Sequence, residues 1–436
     1  MKFKFSFLLS TFLFTYNVNS QDLSTSKVNS SDSSLLSDIV FLKKELQEIK
    51  KEKSKKTAPH FNYKAGLGFA TPDSSYSINI RFRMQNRFLM NTKDDIHLET
   101  GSWEARVRRC RLSFTGHVVN PKWNYYLQLS FSRGDMDWSD VDASTQNTSP
   151  NVVRDAMIFY KPNKNLQFAL GQGKLPGNRQ RVISSGAQQF YDRSIVNATF
   201  TPDRDFGFFV NHTAHLGHTF LVITKLAATS GEGRNSVSSN PGLAYTGRLE
   251  LLPLGAFSDG GDYYEGDLMR EPKPKISLAG GYQLNDLAVR SAGQLGKDLL
   301  GTRSFNVYMA DLLVKYKGFA LSSEYIRRDT DGSPYVIGSD KKTRSITTGD
   351  GINTQLSYCT KKMWEFAARH SLVSPHRDVK ATVRENEQYG VGVTKYLNKH
   401  KVKIQGNVFY NRERDLSKST DMNRYFFAAF QIELGI

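Results

Sequence analysis

Residues 78–84 have the sequence INIRFRM, in which apolar side chains alternate with polar ones. Because successive side chains of a strand point to opposite faces, this period of two predicts a strand with one apolar and one polar face. The same alternation recurs at residues 123–131 and 352–358, and the chain ends on it at residues 424–436. Repeated segments of about ten residues with this pattern are typical of transmembrane β-barrels.

Seventeen segments are candidate strands on this pattern. They are residues 63–70, 77–90, 104–116, 123–133, 153–161, 165–173, 206–214, 218–226, 243–252, 275–284, 305–316, 319–327, 351–360, 363–371, 388–397, 401–411 and 424–436. Single-chain bacterial barrels have an even number of strands, and the Gly-rich first segment is the weakest candidate. We therefore predict an all-β fold over residues 61–436, an antiparallel transmembrane β-barrel of about sixteen strands.

A water-soluble β-sandwich or propeller would also contain alternating strands. Three features favour the membrane barrel. Short turns alternate with long polar loops, aromatic residues such as Trp123, Tyr160 and Trp364 flank the short turns, and the last strand is amphipathic. Outer-membrane barrels have this alternation of loop lengths, aromatic girdles at the membrane interfaces, and a closing strand that leaves no open edge.

The composition of the 436 residues excludes several classes of protein. A chain with 39% hydrophobic residues is not a long disordered segment, and it has no mature apolar run of 18 residues that would make a membrane-spanning helix. Two cysteines, Cys110 and Cys359, cannot build a disulfide scaffold or a Cys-based zinc site. The net charge of +17 favours an anionic partner.

The amino terminus has the layout of a secretory signal peptide. Lys2 and Lys4 precede an apolar stretch that ends near Tyr16, and small or polar residues follow up to Ser20. We predict a signal peptide over residues 1–20 and export to the bacterial outer membrane, where nucleic acid is not an expected partner. Residues 21–34 are rich in Ser, Asp and Asn and are predicted to be a flexible linker.

Residues 35–56 change to a helical period. Apolar residues are spaced four, three, four and three apart, which predicts a short coiled coil. They are Leu35, Ile39, Leu42, Leu46 and Ile49. Because a polar helix of this length is marginal on its own, we favour self-association. A single amphipathic helix lying on its own barrel is the alternative.

Strand parity predicts where the positive charge points. If apolar residues face lipid, five arginines face the lumen: Arg81, Arg83, Arg87, Arg109 and Arg111. Turning an arginine toward lipid at the bilayer midplane would cost about 2–4 kcal/mol. Lumenal cations attract anions, as expected of an anion or phosphate pore. Pairing with lumenal acids such as Glu104, Asp155 or Glu250 is the alternative, although 49 Lys and Arg against 36 Asp and Glu remain from residue 61 onward.

The longest non-alternating interval in the first half runs over residues 174–205. Its basic residues are Lys174, Arg179, Arg181, Arg193 and Arg204. Long irregular stretches in compact proteins are usually functional. We therefore predict a constriction loop that folds into the lumen and contributes these residues to an anion site. A loop facing anionic lipopolysaccharide outside the cell is the competing interpretation.

Several motifs resemble the phosphate-selective porins of the O and P type, in the version found in Bacteroidetes-type bacteria. The motifs are Arg109-Cys110-Arg111-Leu112-Ser113-Phe114, Asn120-Pro121-Lys122-Trp123, Val153-Arg154-Asp155-Ala156, Gly171-Gln172-Gly173-Lys174-Leu175-Pro176, Ser184-Ser185, Asp192-Arg193-Ser194, Asp203-Arg204-Asp205-Phe206-Gly207, Gly261-Asp262-Tyr263, Asp267-Leu268 and Arg270-Glu271-Pro272-Lys273-Pro274-Lys275. The resemblance implies a sixteen-stranded, homotrimeric channel for phosphate or polyphosphate. It assigns anion binding to Arg109, Arg111, Lys174, Arg193 and Arg204.

The expected function is passive diffusion of anions through an Arg- and Lys-lined lumen. Phosphate or other small anions and outer-membrane lipids are the expected partners, with no cofactor and no metal. His212, His215 and His218 are read as exposed residues of a hairpin turn, and no paired nucleophile and base indicates an enzyme. The alternatives are a general diffusion porin with little phosphate preference and a surface-exposed structural or adhesin barrel.

Overall fold

The computed structural model describes residues 37, 39–49, 59–63, 66–132, 152–236, 240–418 and 422–436. The predicted signal peptide and linker lie outside the described residues, as do parts of the predicted coiled-coil segment. The chain divides into two compact units, residues 1–58 and 59–436.

The first unit contains a helix, described at residues 37 and 39–49. The apolar side chains of Ile39, Leu42, Leu46 and Ile49 are about half exposed. They recur on one face at the spacing that coiled coils use, so pairing with another helix stays a prediction. Among the described residues, no helix is long and apolar enough to cross a bilayer.

The second unit is a closed antiparallel barrel of sixteen strands, as predicted. Its strands are β1 (Ser77–Thr92), β2 (Thr100–His117), β3 (Trp123–Ser130), β4 (Val153–Tyr160), β5 (Leu166–Lys174), β6 (Arg204–Leu216), β7 (Phe220–Thr229), β8 (Ala244–Leu252), β9 (Lys275–Arg290), β10 (Asp298–Tyr316), β11 (Phe319–Thr330), β12 (Gly349–Cys359), β13 (Trp364–Pro375), β14 (Glu385–Asn398), β15 (Val402–Arg414) and β16 (Met422–Gly435). Each pairs with its neighbours in the chain, and β16 closes the barrel on β1.

The weakest candidate strand, residues 63–70, does not form one of the sixteen strands of the barrel. Two short strands, His60–Asn62 and Leu67–Ala70, pair with each other, and Leu67–Ala70 continues onto Ser77–Ile80 of β1. The rest of that edge of β1 is occupied by β16, from Arg83 to Asn91. A further short hairpin, Tyr335–Ile337 with Thr343–Ser345, lies in the connection between β11 and β12.

Alternation along the strands separates two surfaces. On β16, Phe430 and Ile432 are exposed on the outside, whereas the neighbouring Gln431 and Glu433 are each 1% exposed. The outward face is therefore apolar and the inward face polar, as a bilayer outside and water inside require.

Connections at one end of the barrel are short. They are residues 118–122, 161–165, 217–219, 317–318, 360–363 and 399–401. Lys317 and Gly318 both have positive φ, as a two-residue hairpin turn that matches the strand twist requires. One connection at this end is long: residues 253–274, between β8 and β9, which we call the short-end segment. The sequence pattern left these residues between two candidate strands but did not predict that they enter the barrel.

Residues 175–203, which we call the lumenal segment, contain two short helices, Arg179–Val182 and Ile195–Phe200. Val196 and Phe200 are buried against inward-facing Phe305, Val307 and Ile326 of β10 and β11. Gly351 on β12 leaves room for this contact, because a Cβ there would lie 2.6 Å from a Val196 methyl group. Apolar packing therefore holds the segment against the β10–β13 side of the barrel interior.

Candidate functional site

A cavity of about 1030 Å³ remains on the other side of the lumenal segment. We call it the basic cavity, because ten cationic side chains and four carboxylates line it. The cations are Arg108, Arg109, Arg111, Arg154, Lys174, Arg181, Arg193, Arg204, Lys225 and Arg234, and the carboxylates are Asp155, Asp192, Asp203 and Asp259. Six of the ten residues assigned to anion binding from the sequence lie on its wall: Arg109, Arg111, Lys174, Arg181, Arg193 and Arg204.

Asp192 of the lumenal segment binds three arginines of the barrel wall. Its carboxylate lies 3.0 Å from Arg109, 3.2 Å from Arg108 and 3.3 Å from Arg87. Arg87 also lies 3.3 Å from Glu104 and over the Tyr191 ring. These contacts attach the lumenal segment to β1 and β2, so much of the charge of the three arginines is neutralised by protein.

Two further arginines form ion pairs on the cavity wall. Arg204 donates two hydrogen bonds to the carboxylate of Asp155, at 2.8 and 3.2 Å, in the paired geometry that guanidinium favours. Arg181 is ion-paired with Asp203. Both arginines therefore line the cavity while retaining a carboxylate partner.

Lys174 and Arg193 differ from these residues. The Lys174 ammonium donates to the carbonyl oxygens of Val182 and Ile183, at 3.4 and 3.1 Å. The Arg193 guanidinium donates to the same Ile183 oxygen at 2.9 Å and to that of Gln180 at 2.6 Å. The two cations thus lie no more than about 6 Å apart. Neither has a carboxylate partner among the described residues.

Arg111 and Arg83 converge on Ser185 of the lumenal segment. Their guanidinium groups donate to its hydroxyl oxygen at 3.1 and 2.8 Å. Arg83 also lies 3.7 Å from Glu433. Arg81 is on the same inward face of β1, is exposed, and has no ion pair with any described residue.

Arg179 is not part of the basic cavity, and its assignment to anion binding is corrected. It is fully buried, donating to Asp311 at 2.9 Å and to Ser277 at 2.7 Å. Arg248 binds the same aspartate at 2.6 and 3.1 Å. Because a buried charge requires a partner, this group has a structural role: it attaches the lumenal segment to β8–β10.

Strand alternation did not predict that Arg108 and Arg154 face the cavity, and the cause is the same for both residues. The register between β1 and β2 shifts at Gln85 and Asn86, and that between β3 and β4 shifts at Gln128 and Leu129. A β-bulge adds one residue to a strand and redirects its side chain. Arg108 and Arg154 therefore turn toward the cavity although simple alternation would turn them outward.

The short-end segment completes the cavity from the opposite end. Its Asp259, Tyr263 and Tyr264 lie on the cavity wall. The Glu265 carboxylate accepts hydrogen bonds from the Gln180 side chain at 3.0 Å and the Gln189 backbone at 3.0 Å. Two segments that enter from opposite ends of the barrel thus meet inside it.

Comparison with known proteins finds a family whose model matches part of this chain. Residues 78–268 match the family model described as phosphate-selective porin O and P. Across that stretch the chain is similar to the porins of this family. The stretch contains β1–β8, the lumenal segment and most of the short-end segment. It therefore includes every cation that lines the basic cavity.

Several solved structures are similar to this chain at low sequence identity, and one of them has a TM-score above 0.5. A complex of Salmonella typhi OmpF with daunomycin is 14% identical and covers 83% of this chain and 98% of its own, with a TM-score of 0.51. An anion-selective porin from Comamonas acidovorans is 11% identical and covers 83% and 100%, with a TM-score of 0.49. The outer membrane channel DcaP of Acinetobacter baumannii is 10% identical and covers 86% and 100%, also at 0.49. No curated protein sequence matches the chain.

The porin is thus a β-barrel of the outer membrane and provides a diffusion channel across it. Family and fold are those of a channel rather than an enzyme. Which solute passes through the channel depends on the charges that line its lumen.

Proposed function

We propose that this porin passes small anions and that the basic cavity is where they are held in transit. The observation that supports this most strongly is the pair of Lys174 and Arg193, whose cationic groups share the Ile183 carbonyl and have no carboxylate partner among the described residues. Two cations within about 6 Å repel each other, and an anion between them removes that repulsion.

Phosphate or polyphosphate is the proposed solute. The matched family is described as phosphate-selective, and guanidinium binds phosphate oxygens through parallel hydrogen bonds. A conducting ion must also leave its site. The surrounding Arg111, Arg154 and Arg234 on the same wall offer successive weak positions rather than one tight one.

Planar-bilayer recording under a salt gradient tests anion selectivity. The wild-type porin should give a reversal potential of anion sign. The variant Lys174→Gln/Arg193→Gln should shift it toward zero, whereas Lys164→Gln, an exposed lysine of the short turn after β4, should leave it unchanged. A cation-selective wild type, or equal shifts in both variants, would refute the proposal.

Phosphate preference is tested by adding phosphate to a chloride-conducting channel. Phosphate that occupies the Lys174 and Arg193 site should reduce the chloride current, and the double variant should lose this block. A general diffusion porin is the second candidate, because Asp192 and Asp155 pair with four of the inward arginines. Anion selectivity without phosphate block would favour that candidate.

We also infer that the porin assembles as a homotrimer. The family resemblance implies this state, and the exposed apolar side chains of the amino-terminal helix, such as Leu42 and Leu46, support self-association. Light scattering of the detergent-solubilised protein should give three chains per particle. Removal of residues 35–56 should weaken the trimer, and a monomeric full-length protein would contradict the inference.

A further inference from the structure

The outward face of the barrel is not uniform at the end where the long loops lie. On β5 and β6, the outward residues toward this end are Leu170, Phe206 and Phe208, all exposed. On β11–β16 the corresponding band is ionic. Its charged outward residues are Arg327, Asp329, Asp350, Glu385, Glu387, Arg412, Arg414 and Arg424.

Within this band, Arg412 and Arg424 lie directly opposite each other on β15 and β16. Residues opposite each other in an antiparallel pair have Cβ atoms about 5 Å apart, and like charges in that position are destabilising. The register therefore places the two arginine side chains next to each other on the outer surface, with Arg412 turned to Glu387 and Arg424 turned to Met422.

Protein carboxylates balance only part of this charge. Glu387 lies 2.8 Å from Arg412, and Glu385 lies 3.6 Å from Arg414. Arg424 has no carboxylate partner among the described residues, and its Nε lies 2.9 Å from the sulfur of Met422. Among the described residues, two of the three arginines thus have a glutamate partner, and a third carboxylate, Asp95, accepts a hydrogen bond from the Tyr410 hydroxyl at 2.9 Å.

Below the arginines the surface becomes apolar. The rings of Tyr410 and Phe426 pack together, with centroids 4.9 Å apart, immediately below the arginine pair. Further down, Val391, Val408 and Phe430 are 61%, 47% and 49% exposed. Basic side chains next to an aromatic pair and an apolar surface are typical of the region where a membrane protein meets the lipid headgroups.

We propose that Arg412 and Arg424 bind a phosphate of a phosphorylated glycolipid in the outer leaflet, whose acyl chains lie on the apolar strip. Short turns of such barrels face the periplasm and long loops face outward, so this band lies at the outer headgroup level. A lipid phosphate supplies Arg424 with the anionic partner that it lacks among the described residues, and it shares Arg412 with Glu387. Lipid binding here does not depend on which solute the lumen passes.

The test is native mass spectrometry of the full-length protein in detergent, titrated with bis-phosphorylated lipid A. Loss of two arginines near a lipid surface predicts about thirtyfold weaker binding by Arg412→Gln/Arg424→Gln. Arg327→Gln is the matched control, because Arg327 belongs to the same band and lies 2.7 Å from Asp329. It should bind as the wild type does, and Arg412→Lys/Arg424→Lys should retain part of the affinity.

Three results would overturn the proposal. Lipid A lacking both phosphates could bind as tightly as the phosphorylated form, inorganic phosphate alone could saturate the pair while lipid does not bind, or the double variant could lose subunit assembly without losing lipid. Folding of each variant is checked by its electrophoretic shift on heating and by an unchanged single-channel conductance. Because conductance and lipid affinity are separate readouts, failure here leaves the anion channel untouched, and the reverse also holds.

Discussion

Arg179 and Arg193 lie on the same lumenal segment, have the same side chain, and end in opposite situations. Arg179 is fully buried and bound to Asp311, which it shares with Arg248. Arg193 faces the basic cavity and donates only to backbone carbonyl oxygens from its side chain. The difference shows that the partner, rather than the residue type, separates an arginine that holds the segment from one available to a solute.

The largest effect is expected from removing Asp311, the aspartate that Arg179 and Arg248 share. Asp311→Asn leaves Arg179 charged and buried without its carboxylate, and leaves Arg248 with Glu250 as its remaining carboxylate partner at 2.7 Å. Breaking a buried ion pair from one side costs about 3–5 kcal/mol, so the free energy of unfolding should fall by that amount. Denaturant titration of the folded barrel, followed by tryptophan fluorescence, measures it.

Asp340→Asn is the matched control, since Asp340 pairs with Arg344 at 2.8 Å in the connection between β11 and β12. The hydrogen bond from Arg344 lowers the pKa of Asp340, and this pair is open to solvent. Its loss should leave the unfolding midpoint unchanged. Equal effects of the two substitutions would show that burial does not distinguish the two pairs.

Asp192 has both roles: it attaches the lumenal segment to the barrel wall, and it also borders the basic cavity. Asp192→Asn frees Arg87, Arg108 and Arg109 from a partly exposed carboxylate. We expect a loss of about 1–3 kcal/mol in the free energy of unfolding and a rise in anion selectivity. Reversal potentials and denaturant titration measure the two effects separately. A fall in anion selectivity would mean that these arginines do not face the solute.

The apolar anchoring of the lumenal segment can be tested without altering charge. Gly351→Ala places a methyl group 2.6 Å from Val196 and 3.1 Å from Phe200, so the helix Ile195–Phe200 must shift. Overpacking of this kind costs about 1–3 kcal/mol. Single-channel conductance should change with stability, since the segment borders the cavity. Gly406→Ala, where a new Cβ meets nothing within 4 Å, should change neither.

Periodicity alone predicted most of the barrel, because a bilayer outside and water inside impose a period of two on every strand. It placed Arg109 and Arg111 inward, and it placed neither Arg108 nor Arg154, since a bulge breaks parity without a signature in one sequence. The burial of Arg179 depends on Asp311, which is distant in the chain, and no local pattern encodes that pairing. The entry of the short-end segment into the barrel was not predicted, because its polar residues resemble an ordinary loop.

The smallest effect is expected for Arg81, a lumenal arginine that differs from both Arg179 and Arg193. Arg81 faces inward on β1, is exposed, and lies outside the basic cavity. Because it has no ion pair with any described residue, Arg81→Gln should leave the free energy of unfolding unchanged. Removing one lumenal charge should still shift the reversal potential slightly toward zero, less than Arg193→Gln does. If the two substitutions shifted it equally, selectivity would depend on the total lumenal charge, and Lys174 and Arg193 would have no special position.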